Sequence, residues 1–420
     1  MQHLPAQTFR LLTLDGRLLF STRIVRLFAY GFLSVILVLY LTEIGLDEKQ
    51  VGLLLTLTLV GDTAISLWIT THADQVGRRK MLLIGAALMV VAGLLFVLTR
   101  NYLLLILAAT IGVISPSGNE IGPFLSIEQA ALTQLLPNER RTGFFAWYNL
   151  VGSFATAFGA LAAGSVAQVF RESGLLPLTT YRFVIAGYAI LGLLLMTLFQ
   201  RLSSSIEVVQ SGTPIPGKRI TNRGFLGLNR SHRIVLKLAA LFSLDAFAGG
   251  FVIQSLVAYW FHIRFGVEPG LLGVIFFGAN ILAGVSALSA AWIARRIGLI
   301  RTMVFTHLPS NILLMLVPLM PSLPLAITVL LLRFSISQMD VPTRQSYTMA
   351  VVEPDERSAA SGVTGVARTI GASLSPVFTG LMLSNPAWIG LPFLISGALK
   401  IVYDLALYRS FQAVRPPEEK

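Results

Sequence analysis

Residues 26–32 read Arg26-Leu27-Phe28-Ala29-Tyr30-Gly31-Phe32, and residues 245–251 read Asp245-Ala246-Phe247-Ala248-Gly249-Gly250-Phe251. The two stretches share a frame about 218 residues apart while exchanging a cation for an anion. The same offset pairs Gly52-Leu53-Leu54 with Gly270-Leu271-Leu272, Asp62 with Asn280, and Gly152 with Gly371. A hydrocarbon core roughly 30 Å thick needs about 20 apolar residues per helix. Twelve such spans read at 22–43, 50–71, 81–99, 103–135, 143–169, 182–200, 236–261, 270–292, 302–320, 324–352, 358–383 and 388–408. The chain is therefore expected to be an all-α membrane protein, with twelve transmembrane helices in two pseudo-symmetric six-helix bundles. A duplicated bundle with polar groups at matching depths is the pattern of a secondary transporter that rocks two halves about a central site.

Composition agrees. With 55% hydrophobic and 12% charged residues and a mean hydropathy of +0.74, the chain fits a polytopic membrane protein and not a soluble domain. It has no cysteine, which excludes disulfides and thiolate metal sites. The net charge of +12 is mostly topological. If the N-terminus is cytoplasmic, 22 Lys and Arg fall on that side, against Lys49, Arg100, Arg171, Arg182 and Arg264 on the other. By the positive-inside rule this predicts cytoplasmic termini, and nucleic acid is not an expected partner. The first 20 residues carry Arg10, Asp15 and Arg17 without an isolated apolar core, so the first span is expected to be its own insertion signal.

One linker is evident, at 202–235, with Pro214, Pro216, glycines, serines and a basic cluster from Lys218 to Arg233. It separates an expected N-terminal bundle (1–201) from a C-terminal one (236–420), and its composition suits relative movement of the two. The cluster reads either as a solvated topology signal or as a contact for anionic lipid of the inner leaflet. Gly212 to Lys218 spells a phosphate-loop pattern, but two prolines interrupt it and Arg219 replaces the magnesium-binding hydroxyl. His3, His72, His232, His262 and His307 offer no zinc-binding i, i+4 pair, and no serine has a nearby His and carboxylate. Neither an enzyme, a metal site nor a cofactor is expected.

The loop after span two reads Thr70-Thr71-His72-Ala73-Asp74-Gln75-Val76-Gly77-Arg78-Arg79-Lys80, and Arg295-Arg296-Ile297-Gly298 follows span eight. Pro137-Asn138-Glu139-Arg140 and Pro354-Asp355-Glu356-Arg357 form a second matched pair. This resembles the signature loop of the major facilitator superfamily at Asp74, Gly77, Arg78 and Arg79, with Thr70 where the family usually has glycine. The resemblance covers essentially the whole chain and implies a twelve-helix carrier, working as a monomer in the plasma membrane (the inner membrane in a Gram-negative cell). It also implies that Asp74, Gly77, Arg78 and Arg79 form a cytoplasmic gate, with Asp74 meeting the end of span eleven near Ser358. The alternative is that Gly77 makes a tight turn and the arginines fix topology.

Charges inside spans cost about 2.5–3.5 kcal/mol each on insertion scales and call for a shared interior reason. They are Arg26, Asp62, Glu120, Glu128, Asp245, Arg333, Asp340, Arg344 and Arg368. Asp62 lies twelve residues before Asp74, about 18 Å along a helix, near mid-membrane. The family resemblance implies that spans one, four, seven and ten line the central cavity, which holds most of these charges. Asp340 and Arg344 are four apart, so they read either as a self-neutralising pair or as part of a site. Pro342 between them is expected to kink span ten. Arg26 and Asp245 are expected to bridge across the pseudo-twofold axis. Arg26, Asp245, Asn280, Asp340, Arg344 and Gln345 are the candidate cavity residues. Asp62, Glu120 and Glu128 are the candidate proton carriers, because a low-dielectric cavity favours their protonated form.

Two departures from the family's drug exporters bear on direction: Ala108-Ala109-Thr110 stands where span four usually has an arginine, and span five lacks the Gly-Pro motif after Gly152. The first reading is export of a small organic, charged or amphipathic solute coupled to inward proton flow. Uptake by symport or uniport is second, and a non-transporting receptor or scaffold on the same fold is the reading from another class.

Overall fold

The computed structural model describes residues 13–119, 124–135, 138–207, 228, 230–353 and 356–414, with backbone alone at 138–143, 146 and 358. Its helices are α1 (Leu14–Glu43), α2 (Glu48–Val76), α3 (Arg78–Leu98), α4 (Tyr102–Ile111), α5 (Phe124–Leu135), α6 (Asn138–Glu172), α7 (Pro177–Gln200), α8 (His232–Gly250), α9 (Gln254–Phe265), α10 (Pro269–Ile297), α11 (Leu299–Leu316), α12 (Leu323–Phe334), α13 (Asp340–Ala350), α14 (Arg357–Leu383) and α15 (Leu391–Phe411). Among the described residues ten segments are long and apolar enough to cross a membrane, with α8 and α9 forming one of them. The short apolar helices α4 and α12 are continued by α5 and α13, which completes twelve crossings.

Three spans are thus discontinuous. Span four stops at Ile111 and residues 112–119 lie outside any helix, span seven breaks at Phe251–Ile253, and span ten breaks between Phe334 and Asp340. The expected kink at Pro342 takes a different form. Pro342 is the third residue of α13, where its missing N–H would have no intrahelical partner, so the helix restarts just ahead of the proline.

Local sequence sets the helix ends. Asp47 and Gln50 form a reciprocal capping box on α2, at 2.7 and 3.0 Å. Asn101 caps α4 through the N–H groups of Leu103 and Leu104. Gly77 and Gly298 occupy repeat-related loops at φ 113° and 87°, where a Cβ would be strained. Outward faces carry Leu107, Phe158, Ile190, Trp292, Phe305 and Val402, all exposed, as suits helices bathed in acyl chains with their backbone bonds satisfied internally.

The chain forms two compact units that do not follow the sequence halves. Unit 1 comprises Met1–Val208, Ile253–Gly284 and Pro376–Ile389, and unit 2 comprises Val209–Val252, Val285–Ser375 and Gly390–Lys420. Spans seven, eight and eleven therefore pass from one unit to the other.

Close glycine contacts explain why parts of later spans join unit 1. A Cβ built on Gly52 would lie 2.9 Å from the Cα of Gly380, and one on Gly164 would lie 2.8 Å from the Cα of Gly273. Small residues allow such backbone approach, and dispersion and polar contacts then hold helices that gain nothing from hydrophobic burial in lipid. The polar contacts lie at the same end. Tyr259 donates to Glu48 at 2.7 Å, Gln254 donates to Ser34 at 2.8 Å, the Val377 N–H donates to Thr56 at 3.0 Å, and Arg171 pairs with Glu268. In unit 2, α8 packs on α15 and α11 on α13 and α15, around Leu238, Phe242, Met303, Val304, Tyr347, Tyr403 and Leu407.

Candidate functional site

In unit 1, span one carries a cation to the middle of the bundle and span four supplies its anion. The Arg26 guanidinium donates in a bidentate fork to Glu128, Nη1 to Oε1 at 2.7 Å and Nη2 to Oε2 at 2.8 Å, with both side chains fully buried. Thr22 donates to Oε1 at 2.7 Å, and the Tyr148 hydroxyl donates to Oε2. Arg26 also lies 4.9 Å from the Phe124 ring centroid. Two charges removed from water persist only when their remaining hydrogen-bond capacity is met, and this carboxylate receives four donors. Arg23, one turn away, donates to the carbonyl of Tyr148 at 2.8 Å and lies over its ring.

Unit 2 repeats this arrangement with the signs reversed. Span seven carries the anion, Asp245, and span ten supplies the cation, Arg344, which donates to Asp245 Oδ2 at 3.2 Å and to Asp340 Oδ2 at 3.0 Å. The i, i+4 pair of Asp340 and Arg344 is thus present, but it is one link of a larger network. Lys400 of span twelve donates to Asp245 Oδ1 at 2.6 Å. Beyond Asp245, His307 of span nine has Nε2 at 4.0 Å from Asp245 Oδ1 and Nδ1 at 2.9 Å from Asp404 Oδ1. Asn311 donates to Asp404 Oδ2 at 2.9 Å. All these side chains are buried.

The bridge expected between Arg26 and Asp245 gives way to separate pairings. Arg26 is held by Glu128, and Asp245 by Lys400 and Arg344, because each bundle supplies an opposite charge one hydrogen bond away. Asn280 belongs to unit 1, where it donates to Gln254 Oε1 at 3.1 Å. Gln345 is exposed and apart from the network, since it is next in sequence to Arg344 and so points about 100° around the helix. Asp62 is buried on α2 within electrostatic range of Tyr188. Glu120 lies outside the described residues.

Lys400, His307, Asn311 and Asp404 escaped the reading of the sequence, although Lys400 and Asp404 were legible as charges inside span twelve. His307 and Asn311 gave a weaker signal, an i, i+4 polar pair in an apolar span.

The Gly77 loop is stitched to unit 1. The backbone N–H groups of Arg78 and Arg79, at the start of α3, donate to the Glu207 carboxylate at 2.7 and 3.2 Å, where an anion also meets the positive helix end. Arg78 additionally donates to Gln134 at 3.0 Å, to the Ile206 carbonyl at 3.1 Å, and to Asp74 at 2.9 Å. The Asp74 side chain is 64% exposed, and the side chain of its expected partner Ser358 lies outside the described set. Unit 2 uses the same device: Glu356 accepts from the N–H groups of Arg230 and Ser231, both at 2.8 Å, at the start of α8.

Twelve helical crossings, three of them discontinuous, with buried charge networks at repeat-related positions, define a polytopic membrane carrier. The sequence profile of the Major Facilitator Superfamily matches residues 19–376, and the chain belongs to that family of secondary transporters. It is 31% identical over 430 residues to the uncharacterized membrane protein YJR124C of Saccharomyces cerevisiae, covering 97% of this chain and 96% of that protein. A segment of 139 residues is 24% identical to the quinolone resistance protein NorA of Staphylococcus aureus, covering 33% of this chain and 34% of that one. Among solved structures, a bacterial homolog of the human lysosomal transporter Spinster in an inward-facing, unoccupied conformation superposes with a TM-score of 0.73 at 14% identity, over 98% of both chains.

Proposed function

We propose that the protein exports a small charged or amphipathic organic solute in exchange for protons, in the plasma membrane with both termini cytoplasmic. The observation that carries the coupling is the fully buried Arg26–Glu128 pair joining spans one and four. Protonating Glu128 would remove the charge that holds Arg26, so proton binding and release of an interhelical tie become one event. Asp62 and Glu120 are the further proton carriers in this reading, while Asp245, Asp340 and Arg344 face the solute. The partial likeness to NorA supports outward transport, and the placement of Lys and Arg supports the orientation. Asp74, Gly77, Arg78 and Arg79 act as the cytoplasmic gate, with the exposed Asp74 carboxylate suited to meet a helix N-terminus.

The test is reconstitution in vesicles that enclose a pH-sensitive dye, with a panel of solutes applied as gradients. Antiport predicts protons moving against the solute flow, with the movement abolished in Glu128→Gln and reduced in Asp62→Asn. Protons moving with the solute would make the protein a symporter. Unchanged proton movement in both variants would remove these carboxylates from the coupling.

A further inference from the structure

The charges of unit 2 do not balance. Arg344 and Lys400 hold carboxylates, and both oxygens of Asp245 and of Asp404 are occupied by closer donors. Arg333 and Arg368 lie within electrostatic range of Asp245 and Asp340, yet among the described residues neither has an ion-pair or hydrogen-bond partner. The Nε of each is shielded from solvent and unsatisfied, and Arg333 has only the face of the Phe334 ring, 4.9 Å from its guanidinium carbon, which offers no hydrogen-bond acceptor for that Nε. Arg368 is also within range of a third guanidinium, Arg344. Intramembrane cations normally pair with an anion or a carbonyl, so two that do neither point to an absent anion.

Helix geometry turns both arginines inward. On α12, Ala326, Leu330 and Arg333 fall at i, i+4 and i+7, and the first two are buried. On α14, Ile370 and Leu374 form an exposed apolar stripe. At 100° per residue, Gly365 and Arg368 lie about 160° and 140° around the helix from that stripe. A Cβ added to Gly362 or Gly365 would meet nothing within 4 Å, so open space borders α14 one and two turns before Arg368.

We propose that Arg333 and Arg368 form an oxyanion-binding subsite of unit 2, and that the transported solute therefore carries a carboxylate or a phosphate. Two planar forks suit such a group, since guanidinium binds it through parallel hydrogen bonds and stays charged in a low-dielectric setting. This deepens the transport reading and rests on unit 2 holding the solute, but it needs no proton coupling.

The experiment uses the full chain in phosphatidylcholine nanodiscs at one pH with no gradient, so its outcome is independent of flux and direction. Unfolding temperature is followed against benzoate, citrate and glycerol 3-phosphate, with benzyl alcohol and glycerol as neutral counterparts. At least one anion is expected to stabilise the wild type while the neutral compounds do not, and Arg333→Gln and Arg368→Gln should each weaken that binding about tenfold to a hundredfold, as for loss of a charged hydrogen bond. Arg→Lys variants should retain part of it. Without ligand, Arg333→Gln and Arg368→Gln should unfold at the same or a higher temperature, since an unpaired charge has been removed; a clear fall in both would assign them a structural role and overturn the proposal. Stabilisation by neither the soluble anions nor an anionic lipid, or stabilisation that persists in the double Gln variant, would also overturn it. A parallel titration with phosphatidylglycerol nanodiscs separates sources: protection by that lipid alone, lost in the Gln variants, assigns the same oxyanion site to a headgroup.

Discussion

The two units solve one problem with opposite signs. In unit 1 the cation is on span one and the anion on span four; in unit 2 the anion is on span seven and the cation on span ten. Arg26 corresponds to Asp245 in the repeat, 219 positions on, and their partners Glu128 and Arg344 lie on the fourth span of each half. Swapping both members of an ion pair keeps the attraction and inverts the dipole, so the duplicated framework tolerated the exchange as long as it came in pairs. The surroundings then diverged. Glu128 and Arg26 are closed off by Thr22, Tyr148 and Phe124, whereas Asp245 is shared among Lys400, Arg344 and His307 and is within electrostatic range of two arginines that, among the described residues, have no ion-pair or hydrogen-bond partner. Unit 1 thus holds a saturated pair, and unit 2 a more widely shared network.

The strongest way to break this comparison is to remove one member of the saturated pair. Glu128→Ala is expected to cost about 3–5 kcal/mol, because Arg26 would be left buried without its anion. Thermal unfolding in detergent would reveal it, and a loss below ~1 kcal/mol would mean that water already reaches Arg26. The double exchange Arg26→Glu with Glu128→Arg, which gives unit 1 the polarity of unit 2, should recover most of that loss; failure to recover would show that Tyr148 and Thr22 require the anion on span four.

A middle-sized effect is expected at the far end of the unit 2 network. His307→Leu leaves Asp404 Oδ1 without its 2.9 Å partner, and a buried acceptor so stranded costs about 1–3 kcal/mol. The same measurement on His307→Asn should show a smaller loss, because an amide can still donate. Smallest of all is Gln345→Ala: the side chain is exposed, and a change within about 0.5 kcal/mol is expected. An equally small effect on transport would separate Gln345 from the neighbouring Arg344.

Much of this architecture was legible because insertion into lipid imposes a length and a hydropathy that local sequence must satisfy. The twelve crossings, the paired loops at Gly77 and Gly298, and the intramembrane charges Arg26, Glu128, Asp245, Asp340 and Arg344 all follow from that rule. The breaks in spans four, seven and ten were less legible. Apolar composition continues through Phe251–Ile253, while in the other two breaks short polar residues such as Ser115, Ser117, Asn119, Ser335 and Gln338, with Gly112, Pro116, Gly118 and Pro342, sit inside longer apolar stretches and mark where helical bonding stops. The partition of spans seven, eight and eleven between units was hidden for another reason: it rests on close approaches such as Gly52 to Gly380, contacts between residues far apart in the chain.

Sequence by itself determined that this chain crosses the membrane as a duplicated helical bundle with charges at matched depths, since periodicity, length and the cost of burying a charge are properties of a segment and its solvent. Only the tertiary structure decided which charge meets which. An ion pair a few ångströms long is fixed by helix rotation and packing, and the two residues that the repeat aligns, Arg26 and Asp245, each meet an opposite charge within their own unit.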